Sequence, residues 1–238
     1  MIEAEWSQCT KPFALLEAVQ GQLSDRKLRL FSCACLRRVW HSFEDAFRQA
    51  IEETEQTAEN TVALPEEAVP WWLRLYNEPA FAPLVFGEMD VYDGVKSILV
   101  LAAHTYAKAS VASWLTAHAD SDPVWRSHIA KIRFASAVEE EESAQASLLR
   151  DVAGMPSRRI RLEPALLRWK DGIVVKLAQS AYMDRFLPDG TLDPSRLAIL
   201  ADALEEAGCT DTDILGHCRS RTDHVRGCWV VDLVLGKS

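Results

Sequence analysis

The chain has 238 residues and a formal net charge of -9 at pH 7, with 48% hydrophobic and 26% charged residues. This composition is typical of a globular protein with a sizeable core and excludes a wholly disordered chain. The negative charge disfavours a general binder of nucleic acid or of anionic membranes, because the field of the protein repels phosphate. We therefore expect another protein as the partner, and the sequence leaves the oligomeric state open.

Two features of the sequence predict a cytoplasmic protein without membrane association. The N-terminus has no basic-then-apolar signal, and the longest uninterrupted apolar stretch, residues 98–103, is too short to span a bilayer. The six cysteines are accordingly expected as thiols or metal ligands, since the cytosol keeps ordinary disulfides reduced.

The first sixty residues are predicted to be helical. Ser24 or Asp25 is placed to cap a helix over residues 26–41, whose arginines lie opposite an apolar stripe. Further helical segments are predicted over residues 3–22 and 43–57.

The middle of the chain begins with a stretch that prolines break into short pieces, because each proline removes a backbone donor and restricts the preceding residue. Trp71 and Trp72 lie within this stretch and are candidates for an exposed interaction surface. Residues 93–118 have the composition of a long, buried helix. Pro123 begins another helix, whose acidic run at residues 139–142 is predicted to face solvent.

The segment from Ser195 to Ser238 has the densest local patterns. Four apolar residues recur at helical spacing: Leu197, Leu200, Ala201 and Leu204. Thr210 and Asp213 form a capping-box pattern that places the Thr210 hydroxyl at the start of a short second helix. The apolar run over residues 229–235 predicts a buried element, and its periodicity does not decide between helix and strand.

Asp232 is the single acid within that apolar run. A buried carboxylate without a partner is costly. We therefore predict a basic or hydrogen-bonding partner from elsewhere in the chain, with Arg37 and Arg38 as candidates. The expected role is an anchoring ion pair.

Together these elements predict a mainly α-helical, compact multi-helix domain with little or no β-structure. We expect residues 1–238 to form one domain, with a subdivision at residues 1–60, 61–146 and 147–238 as the alternative. Short extended pieces are expected only near residues 159–162 and 229–235.

Five soft or borderline metal ligands lie within twenty residues of one another near the C-terminus. They are Cys209, His217, Cys218, His224 and Cys228. If the chain is helical from His224 onward, His224 and Cys228 at i and i+4 project from one face and chelate one ion, for which zinc is the expected metal. The alternative is that the protein has no cofactor, with the cysteines as core residues and the histidines as helix caps.

Other constellations carry weaker signals. Cys33 and Cys35 point in different directions on a helix and do not chelate together. A site built from Cys9, Cys33 and His41 is the alternative, and it requires the fold to bring these three residues together. A nucleophile–base pair formed by Cys228 and His224 is the alternative for catalysis. No glycine-rich phosphate loop and no His-Glu-x-x-His pattern occurs, so no catalytic residue is assigned and enzymatic activity is disfavoured.

Two basic groups are separated in the sequence and would form a patch if the fold joined them. The groups are Arg26, Lys27 and Arg29, and Arg158, Arg159 and Arg161, with Trp169 near the second. Such a patch is typical of binding to nucleic acid or to an acidic partner. The alternative is that these side chains solvate helices.

Two motifs resemble those of an uncharacterised protein family of planctomycete bacteria. The head motif covers residues 25–41, DRKLRLFSCACLRRVWH, and follows EAEWSQCT at residues 3–10. The tail motif comprises LADALEEAGC at residues 200–209, DILGHC at 213–218 and HVRGCWVVD at 224–232. The resemblance implies membership of that family and implies no activity.

The sequence therefore favours a non-catalytic protein-interaction or regulatory module. The alternative is a small zinc-binding protein, structural or regulatory, with its site at residues 209–228.

Overall fold

The computed structural model describes residues 1–59, 91–158 and 160–237. Trp71 and Trp72, the proposed interaction residues, lie outside the described residues. The described chain forms ten α-helices and one sheet of two short strands. This confirms the predicted mainly α-helical fold with little β-structure.

The described helices are numbered in chain order. They are α1 (Glu3–Gln8), α2 (Pro12–Ala18), α3 (Asp25–Arg37), α4 (Asp45–Glu59), α5 (Val91–Ala117), α6 (Pro123–Ala153), α7 (Pro164–Met183), α8 (Pro194–Glu206), α9 (Thr212–Cys218) and α10 (Trp229–Leu235). The strands β1 (Arg185–Phe186) and β2 (Thr191–Leu192) pair antiparallel.

Local sequence signals explain where several helices begin. Helices α2, α6, α7 and α8 each have proline at the first position. A backbone N–H at that position has no hydrogen-bond partner within the helix, so proline, which lacks the N–H, is tolerated there. Ser24 caps α3 as predicted, accepting a hydrogen bond from the backbone N–H of Lys27. The cap of α9 is Asp211, not the predicted Thr210, because the Asp211 carboxylate accepts from the N–H groups of Asp213 and Ile214.

The first hydrophobic core lies among α1 to α6. Phe31, Leu36, Ile51 and Ile98 are among its fully buried side chains. The long helices α5 and α6 pack along each other and contribute one end of their hairpin to this core. The acidic run at residues 139–142 of α6 was predicted to face solvent. The prediction is wrong for Glu141, which is fully buried and bonded to Arg38 at 3.0 Å.

Helix α5 is long and apolar enough to cross a membrane by length and composition, with a mean hydropathy of 1.2 in its most apolar window. The prediction of no membrane span was based only on the uninterrupted apolar run at residues 98–103, which is too short to span a bilayer. A hydropathy average over 18 residues includes isolated polar side chains and therefore gives a longer apolar segment. The core helix of a soluble protein passes the same test. In this structure Ile98, Leu99 and Ala102 of α5 are buried in the first core.

The second core lies among α7 to α10. All four apolar residues predicted on α8, Leu197, Leu200, Ala201 and Leu204, are fully buried. Residues 229–235 form helix α10, so the alternative of a strand there is wrong. The strands instead flank the turn at Asp189 and Gly190.

A layer of buried ion pairs connects the two cores. Asp232 of α10 has a basic partner, as predicted, but the partners are Arg26 at 2.8 Å and Lys27 at 3.5 Å. Arg37 and Arg38 are not available, because they bond to glutamates of α4 and α6. Arg26 and Lys27 are therefore committed inside the protein and do not form an open basic patch.

The second basic group is also engaged in the described chain. Arg158 bonds to Asp211 at 2.8 Å and to Asp213, and Arg159 lies outside the described residues. Arg161, the third member of this group, is exposed.

Candidate metal centre

Four side chains from three separate parts of the chain meet beneath the surface between the two cores. Asp151 lies in the last turn of α6, and His217 lies in the last turn of α9. His224 lies in the connection between α9 and α10, and Cys228 is the residue that precedes α10. One atom of each side chain lies within 4.8 Å of the corresponding atoms of the other three.

Two glycines allow the backbone to bring these residues together. Gly227 has φ of +91°, which reverses the chain between His224 and Cys228. Gly154 ends α6 with φ of +67°, and a β-carbon there would lie 2.9 Å from the ring of Trp229. A side chain at position 154 would therefore separate the end of α6 from the start of α10.

The shortest distances in the group all involve the same few atoms. Oδ1 of Asp151 lies 2.6 Å from Nδ1 of His224 and 3.1 Å from Nε2 of His217. Nε2 of His217 lies 3.2 Å from Sγ of Cys228. Sγ of Cys228 lies 4.0 Å from Nδ1 of His224. Each imidazole thus presents one nitrogen to both the carboxylate and the thiol.

This convergence differs from the arrangement of a catalytic triad and is compatible with a metal-ion site. In a triad the imidazole receives the nucleophile on one nitrogen and the carboxylate on the other. Here Cys228 and Asp151 face the same nitrogen of His217, so the imidazole cannot relay a proton between them. In a tetrahedral zinc site with bonds of about 2.0–2.3 Å, neighbouring ligand atoms lie about 3.3–3.8 Å apart. Here the four atoms lie within 4.8 Å of one another. The 2.6 Å separation of Asp151 and His224 is that of a hydrogen bond and would have to lengthen if both side chains bound one ion.

The group is buried, and its charges respond to that burial. Asp151, His224 and Cys228 have at most 2% of their surface exposed, and the side chain of His217 is 17% exposed. Burial alone would raise the pKa of Asp151, but hydrogen bonds from His217 and His224 hold it well below its ordinary value. Burial, and then the nearby charge of Asp151, raises the pKa of the Cys228 thiol well above its usual range.

Further contacts fix the orientation of the four side chains. Oδ2 of Asp151 accepts a hydrogen bond of 2.9 Å from the backbone N–H of Val225. The second nitrogen of His224, Nε2, lies 3.0 Å from the hydroxyl of Ser220. The ring of His217 packs against the ring of Trp229, with centroids 5.1 Å apart. Metal-binding residues in proteins commonly have such outer partners, which set ligand geometry.

Three of the five predicted ligands belong to this group, and the structure places the other two elsewhere. Cys209 and Cys218 are buried among the apolar side chains of the second core. Burial, together with the charges of Asp151 and Cys209, raises the pKa of Cys218 to about 12. His224 and Cys228 meet through a turn, so the helix on which the predicted i, i+4 chelation depended is not present over these two residues.

Asp151 was not predicted, because it lies far from the other ligands in the sequence. It is an acid beside Leu148, Leu149 and Val152, all of which are buried. An acid among apolar residues is the same pattern from which a partner was predicted for Asp232. Applied to residues 148–152, it would have predicted that Asp151 is a buried carboxylate with a partner.

The remaining predicted sites are not assembled in the described part of the chain. Cys33 and Cys35 are fully buried in the first core, and burial raises the pKa of each well above its usual range. Sγ of Cys33 lies 3.8 Å from the carbonyl oxygen of Ile51. Neither these cysteines nor Cys9 and His41 form a ligand group among the described residues.

The group opens onto a cleft of about 420 Å³, with Asp151 and His217 in its lining. Trp6 and Trp229 contribute apolar surface to it, and Arg150 contributes positive charge. His217, the least buried of the four side chains, is therefore the one nearest to solvent.

Comparison of the chain with protein-family models, with curated proteins and with solved structures found no match. The resemblance to the planctomycete family stays a prediction. The chemistry assigned to the group of Asp151, His217, His224 and Cys228 depends on its geometry alone.

Proposed function

We propose that this chain is a small zinc-binding domain in which Asp151, His217, His224 and Cys228 coordinate one ion. The observation that carries the proposal is that four different side chains each direct one ligand atom to a common point, with the imidazoles using a single nitrogen for two neighbours. Four protein ligands complete a tetrahedron, which is the arrangement of structural zinc sites.

The ligand set favours zinc over harder cations. One thiolate, two imidazoles and one carboxylate suit a borderline-soft ion, whereas magnesium and calcium prefer sites built from oxygen ligands. Zinc coordinated in this way would join the end of α6 in the first core to α9 and α10 beside the second core. Its binding free energy would add to the stability of the folded chain.

Metal content of the purified protein tests the proposal. Protein prepared without chelator and without metal-affinity chromatography should contain about one equivalent of zinc. Cobalt substituted for zinc should show the intense visible bands of a tetrahedral site and a thiolate charge-transfer band. Cys228→Ala should lose the charge-transfer band, and Asp151→Asn should reduce metal content.

Cys218→Ala is the matched control, because Cys218 is a buried cysteine of the same core but not a member of the group. It should retain both the metal and the charge-transfer band. A wild-type protein that binds no zinc or cobalt after refolding with either ion would refute the proposal, and so would equal metal loss in the two cysteine variants.

A second candidate function is that of a protein-interaction module, which the outer end of the α5–α6 hairpin favours. Val124, Trp125 and Ile132 of α6 are 79%, 47% and 54% exposed. Trp125 and Ile132 are separated by seven residues, so both lie on one face of α6. Large apolar side chains grouped on one exposed face are typical of a binding surface.

Crosslinking followed by mass spectrometry in host extracts tests this second function. The double variant Trp125→Ser, Ile132→Ser should lose a crosslinked protein, or a crosslinked second copy, that the wild type retains. Ile199→Ser removes an apolar side chain that is 52% exposed on α8 and should keep the crosslink. Identical crosslinks in all three proteins would exclude this surface.

A further inference from the structure

We propose that the cleft beside the metal centre binds a small organic carboxylate, and that Arg150 is its anchor. The proposal extends the proposed zinc site, because the cleft shares Asp151 and His217 with that site. Binding of the carboxylate itself depends on Arg150 and the cleft walls, and does not require a metal.

Arg150 lies in the cleft wall without an acidic partner among the described residues. Its Nη1 donates to the backbone carbonyl oxygens of Cys9 at 2.6 Å and Trp6 at 3.4 Å. A guanidinium stays charged near neutral pH, so Arg150 carries a positive charge at this position. Although the chain has a net charge of -9, Arg150 gives the cleft wall a positive charge that no ion pair among the described residues offsets.

The geometry of Arg150 leaves part of its guanidinium available to a ligand. The hydrogen bonds of this side chain to the backbone use Nη1, and none of its hydrogen bonds within the described chain uses Nη2. A guanidinium offers five N–H donors in a fixed plane, which matches the two oxygens of a carboxylate. The contacts to Trp6 and Cys9 hold the plane in place before any ligand arrives.

The rest of the cleft suits an anion with an apolar body. Its polar lining includes the hydroxyl-bearing residues Ser147, Thr212 and Thr222, and its apolar lining includes Met155 and Ile160. The two tryptophans of the lining, Trp6 and Trp229, offer aromatic surface. A volume of about 420 Å³ falls within the range of small-molecule sites.

The cleft lining contains two acids, Asp151 and Asp213, and neither is expected to repel an anionic ligand strongly. Asp213 bonds to the guanidinium of Arg158, which offsets its negative charge. Asp151 would be coordinated by the proposed metal, and a divalent cation beside Arg150 adds positive charge to the floor of the cleft. We therefore expect metal loading to strengthen binding of the carboxylate.

Benzoate is the probe, with benzamide as its uncharged analogue of similar shape. In the wild type, benzoate should cause saturable shifts of the indole N–H signals of Trp6 and Trp229 in two-dimensional NMR spectra. Benzamide should bind at least about tenfold more weakly, because it lacks the charge-assisted pair with the guanidinium. This comparison needs no variant and so does not depend on a mutant's folding.

Variants then assign the effect to Arg150. Arg150→Gln should weaken benzoate binding about tenfold or more, and Arg150→Lys should restore part of it by returning the charge. Arg168→Gln removes the same charge from an exposed position that does not line the cleft and should bind benzoate as the wild type does. Thermal unfolding of each variant checks that the fold is intact.

Three results would overturn the proposal. Equal binding of benzoate and benzamide would show that no anion site exists, and equal weakening by the variants at positions 150 and 168 would show a nonspecific charge effect. Saturable binding of inorganic phosphate without binding of benzoate would exclude the carboxylate. Titrations with and without zinc separate the two proposals, since benzoate binding in a protein that takes up no metal would refute only the zinc site.

Discussion

At Asp151 a single carboxylate oxygen faces two imidazoles, and at Cys228 a buried sulfur faces the same imidazole nitrogen of His217. Cys218 is equally buried in the same core, yet no nitrogen or oxygen ligand of the group converges on it. Burial of a cysteine therefore does not identify a ligand. The distinguishing feature is convergence of several ligand atoms on one point.

Zinc binding is expected to release a proton from Cys228 and to tighten as the pH rises. The pKa of this thiol is raised by burial and by the charge of Asp151, so the thiol is protonated in the metal-free protein and must lose its proton to coordinate. One released proton makes the apparent affinity rise about tenfold per pH unit, up to the pKa of the folded thiol.

Calorimetric titrations with zinc in buffers of different ionisation enthalpy measure the protons released. Cys228→Ala should release about one proton fewer than the wild type, whereas Cys218→Ala should release the same number. An unchanged proton count in the Cys228 variant would contradict coordination by this sulfur.

Sequence reasoning found His217, His224 and Cys228 because they lie close together in the chain, and it failed where the contact is distant in sequence. Asp151 reaches the group only because the end of α6 packs against the connection before α10. Likewise, sequence reasoning predicted a basic partner for Asp232, but it named Arg37 and Arg38 where the structure has Arg26 and Lys27. The choice of partner depends on which turn of α3 faces α10.

At the scale of the helices, strong apolar periodicity predicted α8 and its four buried residues. The sequence did not decide the type of element at residues 229–235, and it named the wrong cap for α9. The apolar run at residues 229–235 has no polar face because α10 is buried on nearly all sides, so its periodicity did not separate helix from strand. For α9, the carboxylate of Asp211 took the capping role one residue after the predicted Thr210.

The proposed metal centre depends on the position of the end of α6, which carries Asp151. Gly154→Ala should lower the free energy of unfolding by about 1–3 kcal/mol, because the residue is held at positive φ, and a β-carbon there would also lie 2.9 Å from Trp229. The variant should also bind zinc more weakly, since displacement of Trp229 moves the adjacent Cys228.

Gly21→Ala is the control for this substitution. Gly21 has φ of +74°, but a β-carbon at this position would meet no atom within 4 Å, so the variant carries the backbone strain without the collision. It should cost less in denaturant unfolding and leave zinc affinity unchanged. Equal losses of stability and of affinity in the two variants would show that the contact with Trp229 is unimportant.

Across the whole molecule, buried ion pairs differ in how well their charges are compensated. The pairs of Asp232 and Glu55 join the two apolar cores, whereas the pair of Glu141 and Arg38 lies beside the first core. Glu55 of α4 bonds to Arg37 at 2.6 Å and to Arg185, next to the second core, at 2.7 Å. Burial would raise the pKa of Glu55, but these two arginines lower it below its ordinary value of 4.5. For Glu141, burial raises the pKa more than its partner Arg38 lowers it.

These opposite shifts predict opposite contributions to stability as the pH changes. Because the folded-state pKa of Glu55 is lowered, its stabilisation is present above about pH 4.5 and is lost as the pH falls through the folded-state value. Glu141 has a raised folded-state pKa, so its ionised form opposes folding at neutral pH, and protonation on acidification relieves this.

Glu55→Gln and Glu141→Gln test this contrast, since each removes a charge while keeping the side-chain shape. At pH 7, Glu55→Gln should cost about 3–5 kcal/mol, because Arg37 and Arg185 are left buried without a counter-charge. Glu141→Gln should cost far less, because Arg38 is 28% exposed and water can solvate it. Denaturant unfolding between about pH 6 and pH 2 should show a shallower acid loss of stability for Glu55→Gln than for the wild type, because this range includes the titration of Glu55 in both the folded and the unfolded state. Similar costs for the two variants at pH 7 would mean that the paired glutamates are equivalent, and that compensation by two arginines does not decide how the cores are joined.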